Sequence, residues 1–263
     1  MRRLAGQKRV GHAGTLDPMA EGVLPVLLGR ATRLADFIQH GRKTYVAAVR
    51  LGAATDTDDA EGSVVAESAV PELSEPTIEA VLADFRGDIV QVPPRYSALK
   101  LAGRRAYAIA RAGGEVEFEP RPVTIDALRL VGWCADELRL EVICSRGTYI
   151  RALARDVAIA LGTLGHLTAL VRSKVGPFDL GAALTPDELA ARGIENVLLP
   201  SSQSLPESPT YSARTDEAVR LANGQAVPVA GLRAEHVWVY DPSGLLVCLA
   251  AADGTLLRPR LAL

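Results

Sequence analysis

The chain has 263 residues, 48% of them hydrophobic, and a formal net charge of −2. This length suits one large domain or two smaller ones, and the near-neutral total charge does not by itself indicate a nucleic-acid partner. The three cysteines have neither a metal-ligand spacing nor a disulfide framework, which favours a reducing cytosol. The basic N-terminus lacks the apolar stretch of a signal peptide, and no apolar run is long enough for a membrane span. We therefore expect a cytoplasmic protein that does not insert into membranes.

The charges are unevenly distributed along the chain. Residues 1–16, 93–114 and 144–174 are basic, whereas residues 56–92 are strongly acidic. Such segregation is consistent with separate solvated faces. It is equally consistent with a basic face that meets a polyanion while the acidic stretch maintains solubility. Charge alone leaves both interpretations open.

Hydrophobic periodicity and turn residues predict the elements of the first 200 residues. In chain order they are a helix over 31–39, a strand over 43–52, a helix over 77–87, an extended Pro-Pro segment over 91–100, a basic helix over 103–114, strands over 123–133 and 136–147, and a helix over 148–162. Thr185, Pro186 and Glu188 then form the sequence signature of a capping box, which predicts a further helix.

A change in composition marks a predicted domain boundary. Residues 198–215 are rich in Ser and Pro, as is typical of a linker. Beyond them, apolar β-forming residues flank turns at 241–244 and 253–254. We therefore predict a larger domain over 1–200 and a small β-rich domain over 206–263.

The stretch GHAGTLDPMAEGVLPVLLGRATR, residues 11–33, places Asp17 between a glycine-rich turn and an apolar run. One interpretation is structural, because Asp is a good N-cap and Pro18 would occupy the first helical position, where proline fits best. The other interpretation is catalysis by the Asp17 carboxylate. This segment alone does not decide between the two.

Four segments, taken in order, resemble the TruB-type tRNA pseudouridine synthases. GHAGTLDP resembles the segment that carries the family's catalytic aspartate, and KTYVAAVRLGAATDTDDAEG resembles the strand and acidic loop that follow it. QVPPRYSALKLAGRRAYAIARAG resembles the RNA-clamping thumb, and CSRGTYIRALARDVAIALG the start of the arginine-bearing helix. The resemblance covers about residues 11–176. It is weaker in the C-terminal part, where LANGQAVPV is the best local match to a PUA-like domain.

The resemblance implies an α+β fold. The catalytic domain would have a mixed, largely antiparallel sheet flanked by helices and loops, with a thumb-like insertion at about 93–122, followed by a small β-rich PUA-like domain. It also implies an isomerase that extrudes uridine 55 from the T-loop of tRNA, breaks its N-glycosidic bond and rejoins the base through C5. No metal or other cofactor is expected. The expected partner is the T-stem-loop of tRNA, bound by a monomer.

The same resemblance assigns the catalytic residues. Asp17 matches the essential aspartate, which acts as a nucleophile at C1′ or as a base at the ribose. Arg151 matches the arginine that pairs with it, since an ionised carboxylate in a closed pocket needs a partner. Tyr45 matches the tyrosine that stacks on the base and can accept a proton from C5, and Leu170 matches an apolar residue that packs against the uracil. Without the resemblance, Tyr45 and Leu170 would be ordinary strand and core residues.

Substrate-binding residues follow from the same matches. His12 matches the histidine that stacks within the distorted loop, although a turn histidine bonded to backbone would fit the sequence as well. Tyr149 and Arg172 are also expected to contact substrate. RNA of this kind is recognised through shape, phosphates and stacking, so we expect the thumb to grip phosphate in a salt-sensitive manner. The thumb residues assigned to this role are Arg95, Lys100, Arg104, Arg105 and Arg111.

Three features need a separate interpretation. DTDDAEG lacks the spacing and final glutamate of a calcium loop, and we interpret it as a solvated turn. Glu21 stands where the family usually has a small or hydroxyl-bearing residue, and we expect it to point outward. The strand and KP-x-G-x-TS segment that normally precede GHAGTLDP are missing. We therefore expect either a misassigned start or a shortened chain with an exposed sheet edge.

Two other functions stay open at this point. A non-catalytic tRNA-binding or tRNA-folding protein on the same scaffold would fit the missing N-terminal segment. A carboxylate-dependent glycoside hydrolase would need a second acid near Asp17, and Glu21 is the only local one in sequence.

Overall fold

The computed structural model describes residues 1–96 and 118–263, together with the backbone of Lys100, Leu101, Arg104 and Arg105. The predicted basic helix over 103–114 therefore lies mostly outside the described residues. The described strands are β1 (Val10–His12), β2 (Glu21–Gly22), β3 (Val26–Leu28), β4 (Lys43–Leu51), β5 (Ala53–Thr55), β6 (Val64–Glu67), β7 (Gly87–Gln91), β8 (Lys100–Leu101), β9 (Arg104–Arg105), β10 (Arg121–Cys134), β11 (Glu137–Cys144), β12 (Gly165–Val175), β13 (Phe178–Asp179), β14 (Thr210–Ser212), β15 (Val227–Pro228), β16 (Arg233–Tyr240), β17 (Leu246–Asp253) and β18 (Leu256–Ala262). The described α-helices are α1 (Ala35–His40), α2 (Glu75–Asp84), α3 (Ile150–Ala160), α4 (Pro186–Arg192), α5 (Ile194–Val197) and α6 (Thr215–Ala222), and 3₁₀ helices span Gly29–Leu34, Leu180–Ala182 and Ser201–Ser204.

The chain divides into two compact units. One, which we name the sheet unit, comprises Thr15–Leu24 and His40–Ala183. The other, the terminal unit, comprises Met1–Gly14, Pro25–Gln39 and Leu184–Leu263. This division differs from the predicted boundary near residue 200, because two N-terminal segments belong with the C-terminal part.

The sheet unit contains a seven-stranded sheet with the order β13-β12-β4-β11-β10-β7, in which β2 also pairs with β12. The pairing of β2 with β12 is parallel, and the other pairings are antiparallel. Strand β4 alternates buried and less buried residues along its whole length, as expected when one face of a sheet packs on the core. The predicted mixed, largely antiparallel sheet is confirmed.

Helices α2 and α3 contribute buried side chains to the core of the sheet unit. Ile78 and Leu82 come from α2, and Leu153 and Val157 from α3. Burying an apolar side chain of this size contributes about 1.5–3 kcal/mol, so packing against the sheet stabilises both helices. Because α3 is held in this way, its first turn presents Arg151 at a defined place.

The terminal unit is built around a five-stranded sheet with the order β14-β16-β17-β18-β15. Leu34 packs with Trp238 and Leu249 in one buried cluster. Arg33 donates a hydrogen bond to the Ala262 carbonyl at 2.8 Å. These contacts explain why part of the N-terminal region belongs with the C-terminal strands. The five-stranded sheet confirms the small β-rich C-terminal part.

Most predicted elements are confirmed. Strands β4, β10 and β11 and helices α2 and α3 lie where they were predicted. Helix α4 begins with a complete capping box formed by Thr185 and Glu188. The predicted helix over 31–39 is a 3₁₀ helix in its first half and α-helical from Ala35.

Within the described ranges, no helix combines the length and apolar character that a bilayer span requires.

Candidate active site

Asp17 lies in a turn and not at a helix end. The Ala20 N–H donates to the Asp17 carbonyl at 2.9 Å, and strand β2 begins at Glu21. The helix-cap interpretation of Asp17 is therefore wrong. The Asp17 side chain keeps 32% of its surface exposed, which is enough for contact with a bound molecule. Glu21 is exposed, as expected.

Two nitrogens of Arg151 donate hydrogen bonds to the Asp17 carboxylate. Nε donates to Oδ2 at 3.0 Å and Nη2 to Oδ1 at 3.1 Å. The guanidinium also donates from Nη1 to the Thr57 carbonyl and from Nη2 to the Tyr96 carbonyl, both at 2.9 Å. Bidentate pairs of this kind fix direction as well as charge. The structure therefore brings together the two residues that the sequence pairs.

A second carboxylate, Asp59, contacts the same guanidinium. Its Oδ2 lies 3.3 Å from Arg151 Nη1, and its side chain is only 4% exposed. Its Oδ1 accepts hydrogen bonds from the Thr57 hydroxyl at 2.6 Å and from the Glu61 N–H at 3.1 Å. The interpretation of DTDDAEG as a solvated turn is therefore wrong for Asp59. A buried carboxylate needs partners, and this loop and Arg151 supply them.

Asp58, the neighbour of Asp59, is held by Arg155, which lies one helical turn beyond Arg151 on α3. Arg155 donates from Nη1 to Asp58 Oδ2 at 2.9 Å and from Nε to Asp156 Oδ1 at 2.8 Å. Burial raises the pKa of Asp58, and the Arg155 charge partly opposes that shift. The acidic loop is thus docked on α3 through two consecutive aspartates.

Tyr45 and Leu170 lie on the paired strands β4 and β12, in the core of the sheet unit. Both side chains are buried. Burial raises the pKa of Tyr45, and the charges that act on its hydroxyl include those of Arg172 and Asp17. The Tyr45 hydroxyl is therefore protonated at neutral pH.

Arg172 is a buried residue of β12. It is paired with Tyr45 across β4 and β12 and is only 1% exposed. Nε donates to the Val23 carbonyl at 2.9 Å, and Nη1 to the Thr15 carbonyl at 3.3 Å. Because these carbonyls flank Asp17 on both sides, Arg172 braces the loop that carries Asp17. The expected contact of Arg172 with substrate stays a prediction.

Tyr149 is the N-cap residue of α3, two positions before Arg151, and its side chain is partly buried. It does not cap the helix with its own side chain. Its backbone is held instead by the side chain of Gln91. The expected contact of Tyr149 with substrate stays a prediction.

The remaining predicted substrate-binding residues are His12, Arg95, Lys100, Arg104 and Arg105. The histidine ends β1 in the terminal unit and is exposed, and Arg95 is exposed in the sheet unit. The other three contribute backbone to the paired strands β8 and β9. Their side chains, and the whole of Arg111, lie outside the described residues. The roles of these residues stay predictions.

Sequence reasoning missed Asp59 and Gln91. The two threonines of TDTDD are a usable signal for Asp59, since both of their hydroxyls donate to it, Thr57 to the side chain and Thr55 to the carbonyl at 2.7 Å. A single glutamine after a strand carries no comparable signal. In the described part of the chain, no group of three or more His, Cys, Asp or Glu side chains is arranged to hold a metal ion.

An aspartate held by a buried arginine on an α+β scaffold is the combination expected from the resemblance to pseudouridine synthases. The fold is shared with a chain in the crystal structure of a Cbf5-Nop10-Gar1 complex, with 22% identity, a TM-score of 0.73, and coverage of 100% of this chain and 78% of that one. It is shared also with a chain of an H/ACA RNP bound to a substrate RNA containing 2′-deoxyuridine, with 21% identity, a TM-score of 0.70, and coverage of 99% and 78%.

Sequence comparison identifies the family within this class. Residues 2–150 match the family model described as TruB family pseudouridylate synthase, N-terminal domain. The tRNA pseudouridine synthase B of Chromohalobacter salexigens is 45% identical over 266 residues, which cover 99% of this chain and 87% of the relative. That of Arthrobacter sp. strain FB24 is 43% identical over 274 residues, which cover 98% and 89%. The chain belongs to the TruB family, and the α+β fold class predicted from the sequence is confirmed.

Proposed function

We propose that this protein converts uridine 55 in the T-loop of tRNA into pseudouridine. Relatives that are 43–46% identical to it are named tRNA pseudouridine synthase B. The observation that carries the proposal is the bidentate contact between Arg151 and Asp17, whose carboxylate is still one-third exposed. A carboxylate that is both aimed and accessible meets the requirement for reaction at a bound ribose.

The proposed reaction is an isomerisation. The C1′–N1 bond of the uridine breaks and a C1′–C5 bond forms, while C5 loses its proton to solvent and N1 gains one. Atoms and electrons balance without an added oxidant or reductant. Asp17 begins the reaction by attack on C1′ or by removal of a ribose proton, and both routes require an ionised carboxylate in a fixed orientation.

Tyr45 and Tyr149 would receive the extruded base. A tyrosine ring can stack on uracil. Because burial raises the pKa of Tyr45, its hydroxyl is neutral at neutral pH. This state supports stacking and hydrogen bonding rather than action as a strong base at C5. Leu170 and Tyr149 complete the proposed surroundings of the base.

The proposed partner is the T-stem-loop, bound by a monomer in the cytoplasm. His12 and the thumb residues Arg95, Lys100, Arg104 and Arg105 would contact the loop and its phosphates. Phosphate contacts release counterions from RNA, so the affinity for tRNA is expected to fall steeply as salt concentration rises. The free cysteines, one exposed and two buried, are compatible with a reducing compartment.

The test follows the proton that leaves C5. The full chain is incubated with a tRNA transcript that carries tritium at C5 of its uridines, and with a matched transcript in which cytidine replaces uridine 55. We expect tritium release from the first transcript alone. Release from both would show a different target uridine. Tight binding without release from either would support the non-catalytic alternative and contradict the proposal.

A further inference from the structure

Gln91 is a buried polar residue at the end of β7, just before the segment predicted to form the thumb. Its side chain is held within the protein, with 2% exposure. Oε1 accepts a hydrogen bond from the Tyr149 N–H at 2.8 Å, and Nε2 donates one to the Tyr149 carbonyl at 3.0 Å. Both polar groups of the amide are therefore committed to the backbone of a single residue.

That residue stands at the start of α3. The first N–H groups of a helix have no partner within the helix, and Tyr149 supplies none from its own side chain. The helix dipole makes this end positive, which disfavours a cation such as Arg151 in the first turn. Gln91 supplies an oxygen to this end from 58 positions away in the sequence. The start of the arginine-bearing helix is thus fixed from outside the helix.

The chain that follows Gln91 contacts α3 at two further points. Arg155 Nη2 donates to the Val92 carbonyl at 3.0 Å, and Arg151 Nη2 donates to the Tyr96 carbonyl at 2.9 Å. The same Nη2 atom of Arg151 also donates to Asp17 Oδ1. The segment Gln91–Tyr96 and the first two turns of α3 therefore form one hydrogen-bonded unit that ends on the catalytic carboxylate.

We propose that Gln91 is a positioning residue for Arg151 and, through it, for Asp17. The distance over which it acts is short, because two residues of an α-helix span about 3 Å along the axis. Displacing the helix start would displace the guanidinium by a similar amount. Misplacing a reacting group by about 1 Å can lower a rate about 100-fold. Only the kinetic test of this inference depends on the proposed function.

The kinetic test compares Gln91→Met and Gln91→Glu with Ser68→Ala in the full chain. Ser68 is a matched control because its hydroxyl accepts from the Leu164 N–H and contacts the Thr163 hydroxyl, both at 2.9 Å, just beyond the other end of α3. Single-turnover tritium release should fall about 10-fold to 100-fold in the Gln91 variants, with the Kd for tRNA changed less than about threefold. Ser68→Ala should lower Tm and keep the rate within about twofold of wild type.

A spectroscopic readout decides the matter without activity. The Nε–H resonance of Arg151, assigned through its loss in Arg151→Lys, should shift in the Gln91 variants and stay in place in Ser68→Ala. A wild-type rate with an unshifted resonance in a folded Gln91 variant would overturn the proposal. Equal rate losses in Gln91→Met and Ser68→Ala would also overturn the proposal. Failure of both Gln91 variants to fold would overturn it too. If wild-type protein releases no tritium, the proposed function fails, and the resonance still reports on Gln91.

Discussion

Arg151 and Arg172 are both buried arginines of the sheet unit, and both act on the short loop that carries Asp17. Arg151 comes from the start of a helix and contacts the Asp17 carboxylate itself. Arg172 comes from a strand and contacts backbone carbonyls on either side of Asp17. The first arginine orients the carboxylate that we propose to react, whereas the second holds the segment that carries it. The two arginines have different roles because one guanidinium group comes from a helix and the other from a strand, so they reach the loop from different directions.

Removing Arg151 and removing Arg172 would leave different groups without a partner. Loss of Arg151 would leave Asp17 unoriented and Asp59 buried without its cation. Loss of Arg172 would leave the buried Val23 carbonyl without this donor. The first loss should appear mainly in the reaction rate, and the second mainly in stability.

Among the variants that keep Asp17, Arg151→Lys should produce the largest effect. Lysine keeps the charge but cannot donate to both oxygens of Asp17 at once, so the carboxylate loses its fixed direction. We expect single-turnover tritium release to fall about 1,000-fold, a magnitude seen when one preorganised donor is removed from an active site. The Kd for tRNA, measured by filter binding, should change less than about threefold. A rate within tenfold of wild type would show that the bidentate geometry is dispensable.

Arg172→Met should lower the free energy of unfolding by about 2 kcal/mol, since the buried Val23 carbonyl loses its donor and the apolar replacement cannot satisfy it. Urea unfolding measures this loss. Arg129→Met is the matched control, because Arg129 is exposed and pairs with Glu141 at the surface, where such pairs contribute about 0–1 kcal/mol. Equal losses in the two variants would contradict the bracing role of Arg172.

Lys43 extends the comparison to a buried cation that can lose its proton. Its Nζ donates to the Gly41 carbonyl at 2.7 Å. Burial, together with the nearby charges of Arg172, Arg146 and Arg42, lowers its pKa to about 8, against an opposing effect of Cys144. The unfolded chain keeps this proton up to about pH 10.5. The cost of burying the charge is therefore fully present below pH 8 and declines between pH 8 and 10.5.

Wild type should accordingly gain about 2 kcal/mol of stability relative to Lys43→Met between pH 7 and pH 10. Urea unfolding of both proteins at the two pH values measures this change, and other titrating groups cancel in the difference. A difference that does not vary with pH would mean that Lys43 is protonated equally in the folded and unfolded chain.

Among the kinetic variants other than the controls, Asp59→Asn should have the smallest effect on the reaction rate. The amide oxygen can still accept hydrogen bonds, but the negative charge that helps to hold Arg151 is gone, so we expect about a tenfold lower rate. Asp56→Asn is the matched control from the same loop, where Asp56 accepts an exposed hydrogen bond from the Ser63 N–H at 2.8 Å. It should retain the wild-type rate within about twofold. Similar losses in both variants would assign the effect to the loop as a whole.

The features that sequence predicts well are those set by local patterns. Strand β4 follows from alternation, α3 from its apolar periodicity, and the pairing of Asp17 with Arg151 from two motifs of one family. Asp59 was misjudged because a run of acids looks solvated, whereas its burial depends on an arginine 92 positions away. The contacts of Arg172 with the Asp17 loop were not predicted, because the direction of a strand side chain depends on register. The placement of Leu34 with Trp238 depends on long-range packing, which local patterns do not encode.

Replacing Asp17 by asparagine and following tritium release under single-turnover conditions is the decisive measurement. The change keeps the shape of the side chain and its hydrogen-bonding oxygen but removes the carboxylate that Arg151 orients. The proposed chemistry predicts no release above background, with the Kd for tRNA and the Tm close to those of wild type. Release within about tenfold of the wild-type rate would contradict it, because the reacting group would then lie elsewhere in the protein.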